Sequence, residues 1–319
     1  MSNMNILITG GAGFIGSNTA NTFAREGHSV VVLDNFSFGS RTHLIPAVRI
    51  VTGDVTYADH LTSLETPDAI IHLAGSSSAP MFADNLVGSF SNNVIGHLHI
   101  LEFARARGVK KIIFASTSSV YGNNPLPLTE DQAVTPPNFY AVTKYAQEKA
   151  SHIFSQLHGI EIIAFRFMSV YGTHEEHKGR FANVLTQFIW GIEQKKNPVV
   201  YGDGTQTRDF THVRDIIQAF RLALETKKQF GFTVFNVGTA EKISINEVIK
   251  TINNVMGTDH KPVYIENPIT KGYITQQQAD LTKIARELGY QPKVAIEDGI
   301  REIVEFRKKN PIMPASFSF

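Results

Sequence analysis

Two tyrosine–lysine pairs carry the residue types best suited to moving a proton. Tyr140-Ala-Val-Thr-Lys144 and Tyr145-Ala-Gln-Glu-Lys149 each set a phenol and an ammonium at i and i+4, neighbours on one face of a helix. An ammonium beside a phenol stabilises the phenolate and draws its pKa down from ~10 toward working pH. The result is a base able to take a proton from a hydroxyl. Spacing does not choose between the pairs. Five residues of helix turn through about 500°, which leaves the pairs roughly 140° apart, so at most one faces a given ligand.

A second constellation binds rather than reacts. Ile6-Leu7-Ile8-Thr9 runs into Gly10-Gly11-Ala12-Gly13-Phe14-Ile15-Gly16, which satisfies G-x-x-G-x-x-G from Gly10 and G-x-G-x-x-G from Gly11. A strand that turns sharply into a helix needs glycine, and a Cβ there would hold the backbone away from a pyrophosphate. The helix N-terminus offers free N–H groups and a positive dipole end to the phosphates. A strand before and a helix after are the context that makes the motif a dinucleotide site. The next strand ends at Asp34. A carboxylate there accepts from both ribose hydroxyls of an adenosine and repels a 2′-phosphate, so NAD is favoured over NADP. Arg41, further on, is a cation that could receive a 2′-phosphate instead.

The elements that must position these groups alternate. Strand-like runs rich in Val and Ile lie at 5–9, 29–33, 49–52, 69–73, 111–115 and 160–165, with crossover helices expected at 16–26, 92–107 and 137–157. Continuous apolar strands separated by helices mark a parallel sheet buried on both faces. The expected fold is α/β, a doubly wound, mostly parallel Rossmann sheet over 1–167. A smaller, interleaved C-terminal substrate lobe is expected over 168–319, with about 205–240 returning to the first domain. There a polar, histidine-bearing loop at 171–180 precedes a helix at 181–194, a short strand at 198–201 ends in Gly202-Asp203-Gly204, and another strand is expected at 233–237. An irregular stretch at 261–271, a terminal helix at 298–308 and a tail at 311–319 complete the chain.

Composition excludes several classes. The chain of 319 residues is 42% hydrophobic and 18% charged, enough for a sizeable core. Thirty Lys+Arg against 29 Asp+Glu leave +1, which argues against nucleic acid as a partner. With no cysteine there is no disulfide, thiolate zinc site or cysteine nucleophile. No apolar run approaches the ~18 residues of a membrane span, and Met-Ser-Asn-Met leads straight into a strand without a leader. A cytoplasmic protein that meets no membrane is expected. His174-Glu175-Glu176-His177 lacks His-Glu-x-x-His spacing, so no metal site is expected. No Gly-x-Ser-x-Gly elbow is present, which argues against a hydrolase.

Thr9–Gly16, Asp34-Asn35, Gly53-Asp54-Val55, His72-Leu73-Ala74-Gly75, Asn92-Asn93-Val94, Phe114 to Gly122 and Tyr140…Lys144 occur in this order. Together they resemble the extended short-chain dehydrogenase/reductases, specifically the NAD-dependent nucleotide-sugar epimerases and dehydratases, over nearly the whole chain. The resemblance implies Tyr140 as the active tyrosine, approached through Pro136-Pro137-Asn138-Phe139, with Lys144 its partner. Tyr145 and Lys149 then read as helix surface or packing. Thr117 aligns with the catalytic Ser/Thr, and Ser116, one register away, is the second choice. The same resemblance implies NAD contacts from Gly10, Gly13, Phe14, Ile15 and Gly16, and from Asp34, Asn35, Ser37 and Gly39. It adds Asp54, Val55, Leu73, Ala74, Gly75, Asn93, Tyr140, Lys144 and Phe167. It implies a homodimer built from the helices at 92–107 and 137–157.

The implied activity is nucleotide-sugar epimerisation by transient oxidation with NAD. Dehydratases carry an Asp-Glu pair after the catalytic Thr, and Ser118-Ser119 here cannot serve as that acid and base. Arg208, in Gln206-Thr207-Arg208-Asp209-Phe210, matches the arginine that clamps the substrate diphosphate, a role suited to a guanidinium fork. Ser169, in Arg166-Phe167-Met168-Ser169, replaces an asparagine that usually contacts substrate, and Thr270-Lys271-Gly272-Tyr273 replaces a late Arg-x-Gly-Asp element. Glu176-His177-Lys178-Gly179, Lys271-Gly272 and Gln278-Ala279-Asp280-Leu281-Thr282 resemble ADP-glyceromannoheptose 6-epimerases, in which the lysine matching Lys178 is a second acid/base. The plainer expectation for Lys178 is a solvated loop lysine. The leading expectation is therefore UDP-glucose/UDP-galactose-type 4-epimerisation, then heptose 6-epimerisation, then a catalytically inactive NAD-binding protein.

Overall fold

Apolar runs that lack polar alternation can satisfy their backbone only inside a sheet covered on both sides, and the computed structural model, which describes residues 3–269 and 271–311, puts them there. Thr270 and residues 312–319 of the expected tail lie outside the described residues. The strands are β1 (Asn5–Thr9), β2 (Ser29–Asp34), β3 (Arg49–Thr52), β4 (Ala69–His72), β5 (Lys111–Thr117), β6 (Glu161–Phe167), β7 (Ser169–Tyr171), β8 (Val199–Tyr201), β9 (Thr207–Arg208), β10 (Phe210–His212), β11 (Phe232–Val237), β12 (Ile243–Ser244) and β13 (Val263–Ile265). Seven form one parallel sheet in the order β11-β6-β5-β4-β1-β2-β3. The order reverses beside β1, the place where such sheets bind ligands at the carboxyl ends of their strands.

Two apolar layers hold this sheet. On one face Ile6, Ile8, Val32 and Phe165 pack with Phe23 of the helix Phe14–Arg25 and with Ile216 and Phe220 of the helix Val213–Glu225. On the other, Leu7, Ile70, Ile112 and Ile162 meet Ile100 and Leu101 of the helix Gly96–Arg107, with Phe154 of the helix Phe139–His158 alongside. A third cluster, including Leu185, Phe188, Val248, Ile252 and Ile303, forms the core of the C-terminal lobe. Each fully buried Phe or Ile contributes about 1.5–3 kcal/mol by leaving water.

Several elements differ from the sequence reading. No helix was expected at Val213–Glu225, Ile245–Met256 or Thr282–Leu288, yet all three form. The second is fixed by a capping box between Ser244 and Glu247, which satisfies two otherwise orphan N–H groups. The expected irregular stretch holds β13, paired with β8. The helix expected from 92 begins instead with a π turn at Ser91–Ile95. The strand expected to end at 115 continues as β5 to Thr117, and the two added residues decide how the site is built. Among the described residues no helix is long and apolar enough to cross a membrane.

Candidate active site

The glycine turn lies against the end of β4. Gly10 has φ +66°, and a Cβ on it would stand 2.6 Å from the Ala74 nitrogen; one on Gly16 would stand 2.2 Å from the Gly10 carbonyl oxygen. Only glycine lets helix and strand approach so closely. At the end of β2, Asp34 is 7% exposed and accepts from the N–H of Ala12 (2.9 Å) and of Phe36 (2.7 Å). Burial raises its pKa, and the two backbone donors oppose that rise. Each oxygen spends one lone pair on the backbone, so acceptor capacity remains for two ribose hydroxyls. Arg41 is already engaged, donating to Thr52 Oγ1 and lying over the Phe36 ring at 4.4 Å. The cradle and the free carboxylate fit a dinucleotide without a 2′-phosphate.

Beyond the turn a cavity of about 950 Å³ opens. It gathers the expected cofactor residues from Gly10 to Gly16, from Asp34 to Gly39, Asp54, Val55, Leu73, Ala74, Gly75 and Phe167, together with Thr117, Tyr140, Lys144, Ser169, Lys178 and Arg208. Asn93 is the exception. The π turn aims it inward, fully buried, where Ser76 N–H (2.7 Å) donates to it and its amide donates to the Ser76 carbonyl (3.1 Å) and Thr143 Oγ1 (2.9 Å). It shapes the loop after β4 and does not line the cavity.

Side chains on a strand alternate, so consecutive residues of β5 face opposite ways. Ser116 donates to Glu148 (2.5 Å), beneath the helix Phe139–His158. Thr117 faces the cavity side, 5% exposed, in hydrogen-bond reach of the Tyr140 phenol. Asn138 caps that helix by accepting from Ala141 N–H at 3.0 Å, which fixes Tyr140 in the first turn. One turn on, Lys144 donates to the Ala115 carbonyl (2.8 Å). Burial pulls Lys144 down to about 8 against the pull of Glu148. Burial also raises Tyr140, and only the Thr117 hydrogen bond opposes it. The other pair faces elsewhere: Tyr145 packs beside Val120 and Leu128, with Lys149 over its ring at 4.8 Å.

The histidine-bearing segment is not a solvated loop. Glu175 and Glu176 are 1% and 3% exposed, and Lys178, partly buried, lies over the Phe14 ring at 5.7 Å on the cavity wall. Burial lowers Lys178 and raises Glu175 to about 7, and each opposes the other's shift by its charge. His174 stacks on His43 with ring centroids 4.5 Å apart and bonds Ser17 Oγ (2.9 Å). Apolar and aromatic neighbours from the Rossmann half thus draw in a segment whose composition reads as surface. Asn183, absent from the sequence reading, donates to Ser169 Oγ (3.1 Å) and lines the cavity, bringing an amide beside the serine that replaces asparagine. An asparagine directly before a hydrophobic helix was the available signal. Arg208 lies over the Tyr273 ring at 5.5 Å on the same wall.

The sequence profile of the NAD dependent epimerase/dehydratase family matches residues 6–238. The chain belongs to that family. This makes it an NAD-using enzyme, and the cradle at Gly10–Gly16 and the Asp34 carboxylate fit that cofactor. Among related sequences, a UDP-glucose 4-epimerase of Mycolicibacterium smegmatis is 33% identical over 313 residues, spanning 95% of this chain and 98% of the relative. The solved UDP-glucose 4-epimerase of Thermotoga maritima with UDP-glucose superposes with TM-score 0.91 at 31% identity, covering 97% of this chain and 100% of the other. The ADP-L-glycero-D-manno-heptose-6-epimerase of Helicobacter pylori gives 0.85 at 30% identity, covering 95% and 96%.

Proposed function

We propose that this family member is a UDP-glucose/UDP-galactose-type 4-epimerase. The observation that carries the reading is the convergence of Thr117, Tyr140 and Lys144 with the glycine turn and Arg208 on one cavity. NAD, when bound, supplies a transient hydride acceptor. Tyr140 takes the proton of the reacting hydroxyl and returns it after the sugar ketone has presented its other face. Thr117 holds the reacting oxygen, and Lys144 holds the nicotinamide ribose. Asp34 takes the adenosine ribose, Arg208 the sugar-nucleotide diphosphate, and Ser169 and Lys178 line the sugar side. Ser118 accepts from Gln277 (2.9 Å), which leaves no acid/base pair there for dehydration.

One observation favours a second reading, an ADP-glyceromannoheptose 6-epimerase: Lys178 lines the cavity instead of facing solvent. A 4-epimerase runs both transfers through one tyrosine and needs no second base. Lys178→Met is therefore expected to leave UDP-glucose/UDP-galactose interconversion within about tenfold, ~1.4 kcal/mol of barrier. The assay is a panel of UDP-hexoses, UDP-N-acetylhexosamines and ADP-heptose on both proteins. Turnover of ADP-heptose alone, lost in the variant, would replace the first reading with the second. Bound NAD with no turnover at all would favour an inactive binding protein.

A cytoplasmic homodimer goes with this reading, since sugar nucleotides and NAD are cytoplasmic metabolites. Leu98 (39% exposed), Val142 (41%), Ile153 (58%) and Leu157 (72%) leave apolar surface on the helices Gly96–Arg107 and Phe139–His158, which suits a partner surface. Sedimentation is expected to give a dimer at micromolar concentration; a monomer would count against this face.

A further inference from the structure

A buried carboxylate one turn below Lys144 has no part in the chemistry described so far. Tyr140, Lys144 and Glu148 follow one another at i, i+4 and i+8 along the helix Phe139–His158, so they share a face. Glu148 is 3% exposed. Its Oε1 accepts from Arg166 Nε (2.9 Å) and Ser116 Oγ (2.5 Å), and its Oε2 accepts from Arg166 Nη2 (2.7 Å). Arg166 belongs to β6 and Ser116 to β5. The guanidinium also lies over the Tyr121 ring at 4.7 Å. The carboxylate therefore ties the helix that bears Tyr140 to two adjacent strands, next to the Ala115 carbonyl that receives Lys144.

We infer that Glu148 is a positioning residue for the Tyr140–Lys144 pair, setting the height of the helix over β5 and supplying the counter-charge for the buried Lys144 ammonium. The inference rests on the roles proposed above for Tyr140 and Lys144. The groups that act on Lys144 support it. His72 of β4 and His97 of the helix Gly96–Arg107 interact with it electrostatically, and burial holds both imidazoles neutral. Tyr140 is an uncharged phenol, Arg166 is a second cation already paired, and Asn93 and Thr143 nearby are neutral. Glu148 is the carboxylate whose charge favours the ammonium. Removing an anion disfavours the nearby cation, so without Glu148 Lys144 would lose its proton at lower pH.

The test reads Lys144 directly, by NMR titration of its side-chain amine in the NAD-loaded protein, assigned by the resonance lost in Lys144→Arg. In Glu148→Gln the midpoint is expected to fall by about one pH unit, tenfold in the ionisation constant, and the alkaline limb of kcat/KM should move with it. Glu148→Asp, which keeps the charge, should hold both near wild type. Glu148→Gln leaves the Arg166 guanidinium buried without its carboxylate and risks unfolding. The double variant Glu148→Gln/Arg166→Met removes both charges, a change buried pairs often tolerate, and should show a smaller fall of the same sign. A folded double variant with Lys144 titrating at or above the wild-type midpoint would overturn the inference. Absence of any nucleotide-sugar turnover in wild type would overturn the proposed function while leaving this titration readable.

Discussion

Replacing Tyr140 with phenylalanine is expected to lower turnover by about 10²-fold or more, the usual scale for a general acid/base, or roughly 2.7 kcal/mol of barrier. Folding should survive, because the ring and its packing on Phe82 at 6.1 Å remain. Only the oxygen that meets Thr117 is lost. Circular dichroism and bound NAD should match wild type while progress curves on UDP-glucose or UDP-galactose flatten. Tyr145→Phe is the control. That ring sits among Val120, Tyr121 and Leu128, away from the cavity, so its variant should be nearly silent. An inactive Tyr145→Phe beside an active Tyr140→Phe would place the reacting helix face on the wrong side. The pH profile adds a sign. Burial raises Tyr140 in the protein without ligands, so the base form grows as pH rises. The acid limb of kcat/KM should climb with pH in wild type and be absent from the residual rate of the phenylalanine variant.

What could be read from sequence was whatever depends on chain-local rules. Gly10 to Gly16 and Asp34 follow from the geometry of one strand, one turn and one helix, and the structure places them together around the cradle. Thr117 against Ser116 was harder, because the answer depends on whether β5 continues past Ala115. It does, and the period of two sends the Ser116 hydroxyl to Glu148 and leaves Thr117 beside the Tyr140 phenol, with both residues bordering the cavity. The resemblance offered Lys178 as a second acid/base, but its burial and that of Glu175 were not legible, for a different reason. Their burial depends on partners distant in sequence: Phe14, whose ring Lys178 covers, and His43, on which the neighbouring His174 stacks. Asn93 was expected to touch NAD through the resemblance carried by Asn92-Asn93-Val94, at the start of an expected helix. A π turn, invisible to helical periodicity, turns it into the core instead. Glu148 carried no sequence signal of its own beyond standing one turn after Lys144, since its partners lie on two other strands.

Gly16→Ala should remove the cofactor rather than the chemistry. Alanine is the better helix former by roughly 1 kcal/mol, and Gly16 lies within the helix Phe14–Arg25. On propensity alone the variant would be stabilised. Sterics decide otherwise: the new Cβ would stand 2.2 Å from the Gly10 carbonyl oxygen and 2.6 Å from the Gly11 Cα, both backbone atoms with no rotamer to yield. Helix and turn must separate, at a cost of about 1–3 kcal/mol or more for overpacking. The N–H groups that would meet the pyrophosphate move away together. Losing even one charge-assisted hydrogen bond, about 1.5–3 kcal/mol, weakens NAD binding by roughly 10- to 100-fold. Purified Gly16→Ala should therefore carry little NAD and melt below wild type. Gly159→Ala provides the comparison, since Gly159 has φ +65° at a helix end and nothing within 4 Å of a built Cβ. It should lose about 1 kcal/mol to backbone strain and keep its NAD. A Gly16→Ala protein that retains wild-type NAD while Gly159→Ala loses it would move the phosphate site away from the glycine turn.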